Sequence, residues 1–264
     1  MNQLTSLYSN ALSTMAPSLP TPADFPSGAV VSITPPPAGT DLTHAILLLH
    51  GIGDTISPFS TLASRVNLPR AAIIALQAPG QMPFDIGGFQ WGDDIVFSKD
   101  PTNASGSSDD DEFLSPDAQF SRSRMFLGDI IQQVLEKKCG FTASENVILW
   151  GYGQGGMAAL DIATCRMNLC AVISVGGWIP SCIRPRDIID LPRSTSVLIC
   201  GGDTKSNITD EMVKHAEELF KECRRIKFPM KGDLMPRNKD EMSPILRFLL
   251  RILVPEELEK QGYT

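Results

Sequence analysis

Five short, uninterrupted apolar runs constrain what this chain can fold into more than any other feature. They are Ala45-Ile46-Leu47-Leu48-Leu49, Ala71-Ala72-Ile73-Ile74-Ala75-Leu76, Asn146-Val147-Ile148-Leu149-Trp150, Ala171-Val172-Ile173-Ser174-Val175 and Ser196-Val197-Leu198-Ile199-Cys200. Each is too short for a core helix and too continuous for a strand with one wet face. The segments between several of them repeat near 3.6 residues. Residues 122–138 bring Met125, Phe126, Ile130, Ile131, Val134 and Leu135 to one side, and residues 155–167 and 210–223, the latter behind a Thr209 cap, read alike. Strands buried on both faces and alternating with amphipathic helices specify an α/β fold, a mostly parallel central sheet with helices on both faces.

The length of 264 residues, 42% of them apolar, suits one domain. Its start is expected near residue 28, with residues 1–27 a flexible arm rich in Pro, Ser and Thr and the domain running from 28 to 264. The stretch to about residue 40, ending in Thr34-Pro35-Pro36-Pro37, argues for an arm or an edge strand rather than a core element. A mobile acidic loop is expected near residues 101–118. It holds the polar run 104–112, in which Ser107 and Ser108 precede Asp109, Asp110, Asp111 and Glu112. An acidophilic kinase would accept those serines; the simpler reading is a solvated loop. Residues 245–254, interrupted by Arg247 and Arg251, fall well short of the roughly 20 residues that span a bilayer and read as a closing core helix.

Charge and cysteine usage exclude several classes of function. With 30 acidic and 23 basic residues the chain offers no broad positive field for a phosphate backbone, so nucleic acid is not an expected partner. The six cysteines form no C-x-x-C pair, and several sit in apolar runs where Cys behaves as a small hydrophobe. No metal or cofactor is therefore expected, and the cysteine pattern together with an amino terminus lacking a signal-like pattern fits a cytoplasmic setting.

The chemistry turns on one strand-turn-helix. The run ending at Trp150 enters Gly151-Tyr152-Gly153-Gln154-Gly155-Gly156 and opens a helix at Met157. In the nucleophile elbow G-x-S-x-G a tight turn lifts a serine above the sheet beside a helix amino terminus. Here the serine position is Gly153.

With this elbow, Leu47-Leu48-Leu49-His50-Gly51-Ile52-Gly53-Asp54-Thr55, Gln77-Ala78-Pro79 with Trp91 downstream, and Leu114-Ser115-Pro116-Asp117, the chain resembles the phospholipase/carboxylesterase family of α/β-hydrolases that includes acyl-protein thioesterases. The resemblance covers about residues 28–253. It implies an α/β-hydrolase fold and an oxyanion hole made by the backbone N–H groups of Ile52 and Gln154. It also implies an acid in an H-G-D-x-D-x-x-V-P pattern and a histidine in a G-x-x-H pattern. Laid on this chain, the first places Lys205 at the acid position, with Asp203 two residues away, and the second places Asp233 at the histidine position.

All three triad positions thus depart from the family. The three histidines, His44, His50 and His215, give the same result, because none follows residue 215 although the triad histidine lies near the carboxyl end. Loss of the serine or histidine of a triad costs about a millionfold in turnover, and the oxyanion hole with binding retains only about 10³ to 10⁴ over water. The expectation is a pseudohydrolase whose pocket, lined by His50, Ile52, Trp91, Gln154 and Trp178, holds an acyl or peptide ligand without cleaving it. For Trp91 and Trp178 a core position, and for His50 a role in tying its own loop, are the simpler alternatives.

Three rivals stand beside it. Gly151, Gly153 and Gly156 also spell G-x-G-x-x-G, but the next strand ends Ser174-Val175-Gly176-Gly177 without the carboxylate a dinucleotide site needs. A relocated triad would draw on Ser174, Ser181 or Cys200, none of them at an elbow. An interaction protein would work through the acidic loop 104–112 and the Pro-rich arm.

Overall fold

The computed structural model describes residues 16–83, 86–92, 119–180, 183 and 188–256. The acidic loop 101–118 and residues 1–15 of the arm lie outside them. Residues 16–27 rest against the domain: Ser18 N–H donates to Cys139 O at 2.9 Å, Lys138 Nζ donates to Asp24 O at 2.8 Å, and Phe25 is buried in the core.

In chain order the strands are β1 (Val31–Thr34), β2 (His44–Leu49), β3 (Ala71–Leu76), β4 (Gly80–Gln81), β5 (Phe89–Gln90), β6 (Val147–Tyr152), β7 (Ala171–Val175), β8 (Arg193–Thr204) and β9 (Phe220–Lys231). Seven form one sheet in the order β1-β3-β2-β6-β7-β8-β9, while β4 and β5 pair as a small ribbon. Within the seven-stranded sheet only β1 runs antiparallel, pairing with β3 at the edge, which is the edge-strand alternative of the two readings of the proline-rich entry. The five apolar runs are β2, β3, β6, β7 and the middle of β8.

Alternation sends successive residues of each run to opposite faces. Leu47, Leu49, Ile74, Leu149, Val172 and Ile199 join one core layer, and Ile46, Leu48, Ile73, Ile148, Ile173 and Leu198 the other. The helices are α1 (Ile56–Val66), α2 (Ser121–Asp129), α3 (Ala143–Asn146), α4 (Gln154–Cys165), α5 (Asp210–Leu219) and α6 (Lys239–Leu253). Helices α4 and α5 cover the first layer through Leu160, Val213 and Ala216, and α1 and α6 cover the second through Phe59, Ala63, Ile245 and Leu249.

Two expectations change in detail. The helix read over 122–138 begins as α2 and continues as a π-helical stretch, Ile130–Glu136, in which the wider turn keeps Ile130, Ile131, Val134 and Leu135 buried together. The helix read over 210–223 starts at its Thr209 cap, with Met212 N–H donating to Thr209 Oγ1 at 3.2 Å, but ends at Leu219. Cys223 belongs instead to β9, whose exposed, charged residues mimic a helix surface because an edge strand presents much of itself to water. Among the described residues no helix is long and apolar enough to cross a membrane.

Candidate functional site

The site lies at the carboxyl ends of β2 and β6, where Leu49 and Gly151 are register partners. The chain turns there with Gly153 at φ 52°, ψ −119°, and α4 begins at once with Gln154. These angles match the first central position of a type II′ turn, where glycine is strongly preferred. Gly153 N–H donates to Val175 O at 2.8 Å, and Met157 N–H donates to Gly153 O at 3.0 Å, so the turn is tied to β7 and to its own helix. Space is open above it: a Cβ on Gly153 would meet only Gly51 Cα, at 4.0 Å.

The flanking glycines serve close approach. A Cβ on Gly151 would stand 2.3 Å from Gly155 C, and one on Gly155 2.4 Å from His50 O and 2.5 Å from Leu49 O. Only hydrogen at both positions lets α4 start directly over the ends of β2 and β6. The two glycines that frame the nucleophile position therefore retain their steric reason, although Gly153 between them carries no side chain.

The facing loop, residues 50–54, is held on several sides. His50 is wholly buried, its Nδ1 2.7 Å from Gly51 O and its Nε2 accepting from Ala78 N–H at 3.0 Å. That pattern places the proton on Nδ1 of a neutral ring. Burial lowers the His50 pKa, with the Gly51 carbonyl and Asp54 opposing it. Trp91 Nε1 donates to His50 O at 2.9 Å, and the two rings lie 5.5 Å apart. Gly53 N–H donates to Phe89 O at 2.9 Å and Phe89 N–H to Asp54 O at 3.0 Å, fixing the loop against β5.

Gln154 completes this frame: its Oε1 accepts from Trp91 N–H at 2.6 Å and its Nε2 donates to Gly92 O at 3.3 Å. Ser123 Oγ donates to Trp91 O. His50, Trp91 and the Gln154 side chain are thus buried framework groups that shape the loop and elbow from beneath. That differs from the expectation that they line a pocket, because each spends its polar atoms on main-chain groups. Ile52 is 42% exposed beside the elbow, and Trp178 is half-buried against the first core layer.

The residues that the family pattern sets at the acid and histidine positions lie at the end of β8 and in the loops after β8 and β9. Asp203 and Lys205 are exposed, Lys205 at a left-handed φ of 53°. Asp233 is half-buried, and both its oxygens are committed to the β8–α5 loop. Oδ1 accepts from Ser206 Oγ at 2.6 Å and Gly202 N–H at 3.2 Å, and Oδ2 accepts from Asn207 N–H at 2.6 Å. Asp233, which the resemblance sets at the histidine position, thus braces that loop directly.

Tyr152, to which sequence reasoning gave no role, belongs to the site. A Cβ on Gly51 would lie 3.0 Å from Tyr152 Cδ1 and 3.2 Å from Cε1, so the ring packs closely against Gly51 of the facing loop. Burial first, then the negative charges of Asp233 and Asp54, raise its pKa, keeping the phenol neutral. Its place between Gly151 and the nucleophile position was the available signal.

The relocated nucleophiles fare differently. Ser174 is fully buried and donates to Gly177 O at 2.9 Å, and Cys200 is fully buried in the second core layer with its thiol pKa pushed far up by burial. Ser181 lies outside the described residues. Among the described residues no group of three or more His, Cys, Asp or Glu could hold a metal ion. The other histidines hold structural posts: His215 on α5 has its Nε2 3.1 Å from Ile183 O, and His44 Nδ1 lies 2.7 Å from Thr43 Oγ1.

A pH dependence of stability follows. Burial, assisted by Arg70, lowers the His44 pKa to about 4, below the 6.5 of a free histidine. Between those values the unfolded chain binds a proton that the folded chain refuses, so stability falls as pH falls from 6.5 toward 4, and His50 adds in the same direction. His44→Gln is expected to flatten the fall of melting temperature across this window; an unchanged slope would place the titration elsewhere.

Comparison with known proteins agrees with this geometry. Residues 36–252 match the phospholipase/carboxylesterase family. An uncharacterized hydrolase of Schizosaccharomyces pombe is 30% identical over 164 residues, which are 59% of this chain and 61% of that protein. Hence the match spans about three fifths of the relative's own length. Among solved structures, the acyl-protein thioesterase 2 of Zea mays superposes with a TM-score of 0.59 at 18% identity, over 85% of this chain and 99% of that one. A carboxylesterase of Mesorhizobium loti gives 0.61 at 17% identity, over 89% and 99%.

Proposed function

The chain belongs to the phospholipase/carboxylesterase family of α/β-hydrolases, and from that premise we propose that it has given up ester and thioester hydrolysis and keeps the elbow as a binding site for an acyl or peptide carbonyl. The observation that carries the reading is Gly153. The backbone there holds the angles of a nucleophile turn, φ 52° and ψ −119°, with no nucleophile on it. Asp233 supports it, since its carboxylate, standing where the base would be, is spent on Gly202, Ser206 and Asn207.

Binding without cleavage is chemically coherent at such a site. Catalysis needs an attacking atom, a base to take its proton and donors for the developing oxyanion. Removing the first two leaves donors that still receive a carbonyl oxygen: in this reading the N–H groups of Ile52 and Gln154. A Cβ on Gly153 would meet nothing nearer than Gly51 Cα, at 4.0 Å, so in this reading the ligand's carbonyl carbon comes up to the place a serine side chain would have taken.

Isothermal titration with a medium-chain alkyl methyl ketone, an uncleavable stand-in for the thioester, tests the reading. Saturable binding is expected, weakened by Gly153→Val, whose side chain occupies that space. Absence of binding would remove the ligand role.

A further inference from the structure

Away from the elbow, one groove concentrates positive charge in a chain of net charge −7. It lies between α6 and the outer strand β9. Leu198, Ile226 and Phe248 form its floor, and Arg224, Arg247 and Arg251 stand around a cavity of about 280 Å³. Arg247 and Arg251 are four residues apart on α6, hence neighbours on one helix face, and both are exposed. Among the described residues neither has a hydrogen bond or an ion pair, and Arg224 has only Glu222, at 2.7 Å. Guanidinium groups gathered over an apolar floor repel one another, and carboxylates of a bound chain on their outer side would offset that repulsion through bidentate hydrogen bonds.

The neighbouring edge has matching character. Strand β9 pairs only with β8, so its outer edge is unpaired within the described sheet. It carries Lys221, Arg224, Arg225, Lys227 and Lys231 against the single acid Glu222; Arg225 and Lys227 are drawn to Asp210 of α5, which leaves Lys221 and Lys231 beside Arg224 to meet a partner. Like charge along an edge discourages two copies from pairing there. The same charge favours an extended acidic segment, whose main chain can use the open edge while its side chains meet the bases.

We infer that the groove between α6 and β9 docks an acidic peptide segment of a partner protein, laid along the edge of β9 with one aromatic or branched apolar side chain set between Arg224, Arg247 and Arg251. An aromatic ring suits the place, because it rests on Ile226 and Phe248 and offers its face to the guanidinium groups. This surface is separate from the elbow and does not depend on the reading given to it.

The test uses the full chain and a fluorescein-labelled peptide, Asp-Glu-Asp-Phe-Glu-Asp, followed by anisotropy. Saturable, salt-sensitive binding is expected, reduced about tenfold or more by Arg247→Glu combined with Arg251→Glu, the scale set by losing two charge-assisted contacts. Replacing the peptide's phenylalanine by serine is expected to weaken it comparably. Arg247→Gln with Arg251→Gln, its fold verified by circular dichroism, should show the same loss without added negative charge. Absence of peptide binding, or undiminished binding by both double variants, would overturn the proposal. So would capture of phosphatidylcholine/phosphatidylserine vesicles, or self-association, through these arginines with the peptide left unbound.

Discussion

Gly155→Ala is expected to cost about 3 kcal/mol or more of folding stability, at the upper end of what overpacking does, because neither neighbour can move aside. The added methyl would stand 2.4 Å from His50 O and 2.5 Å from Leu49 O. Both atoms are main chain of the loop and strand that also hold the buried His50 ring, so no rotamer change relieves the clash. Domains have only about 5–15 kcal/mol in total, so the loss is a large share of what this one has. Gly39→Ala is the comparison: its methyl meets nothing within 4 Å, and only a left-handed φ of 82° resists it, which costs about 1 kcal/mol. Urea denaturation of the two variants checks the difference. Equal midpoints would mean that α4 does not start as close to β2 as described.

Gly153→Ser is expected to lose stability and gain no catalysis. A non-glycine residue held near φ 52°, ψ −119° is strained by about 1–3 kcal/mol, although the side chain has room. The new hydroxyl would find no base: His50 is locked beneath the loop, His44 and His215 hold structural posts, and Asp233 is bound to the β8–α5 loop. Turnover should therefore remain about a millionfold below that of an intact triad. Only Gly153→Ser joined to Lys205→Asp and Asp233→His supplies nucleophile, acid and base together, and any hydrolysis gained is expected to be confined to that triple variant. p-Nitrophenyl ester assays on the single and triple variants decide it, and robust turnover by the single variant would mean that another group serves as base.

The fold was legible where burial is two-sided. Runs such as 71–76 are apolar at every position because helices cover both faces, and nothing but an interior parallel strand fits that pattern. Strand β9 was not legible for the opposite reason: its alternation of charged and apolar residues at an exposed edge passes for the surface of a helix, and the reading ran the helix on to residue 223. Helix α1 buries only Phe59 and Ala63, too sparse a stripe to stand out.

At the site, residue identities carried the elbow, since Gly151, Gly153 and Gly155 each have a local backbone reason for being glycine. What sequence could not convey was direction. His50 and Trp91 were placed beside the right loop, yet they face inward, and only coordinates reveal that their polar atoms are used up. Asp233 was read from the family pattern as standing at the histidine position, and nothing in the sequence marked it as a brace for residues 202–207. Tyr152 stood in the motif without a partner until the fold laid its ring on Gly51.

The most direct measurement is hydrolysis of short- and medium-chain p-nitrophenyl esters and thioesters by the purified protein, with a fluorophosphonate probe run alongside. The account predicts no turnover above the buffer rate and no labelled serine. Turnover abolished by the probe, with a serine labelled, would contradict it and establish a serine hydrolase whose triad lies elsewhere.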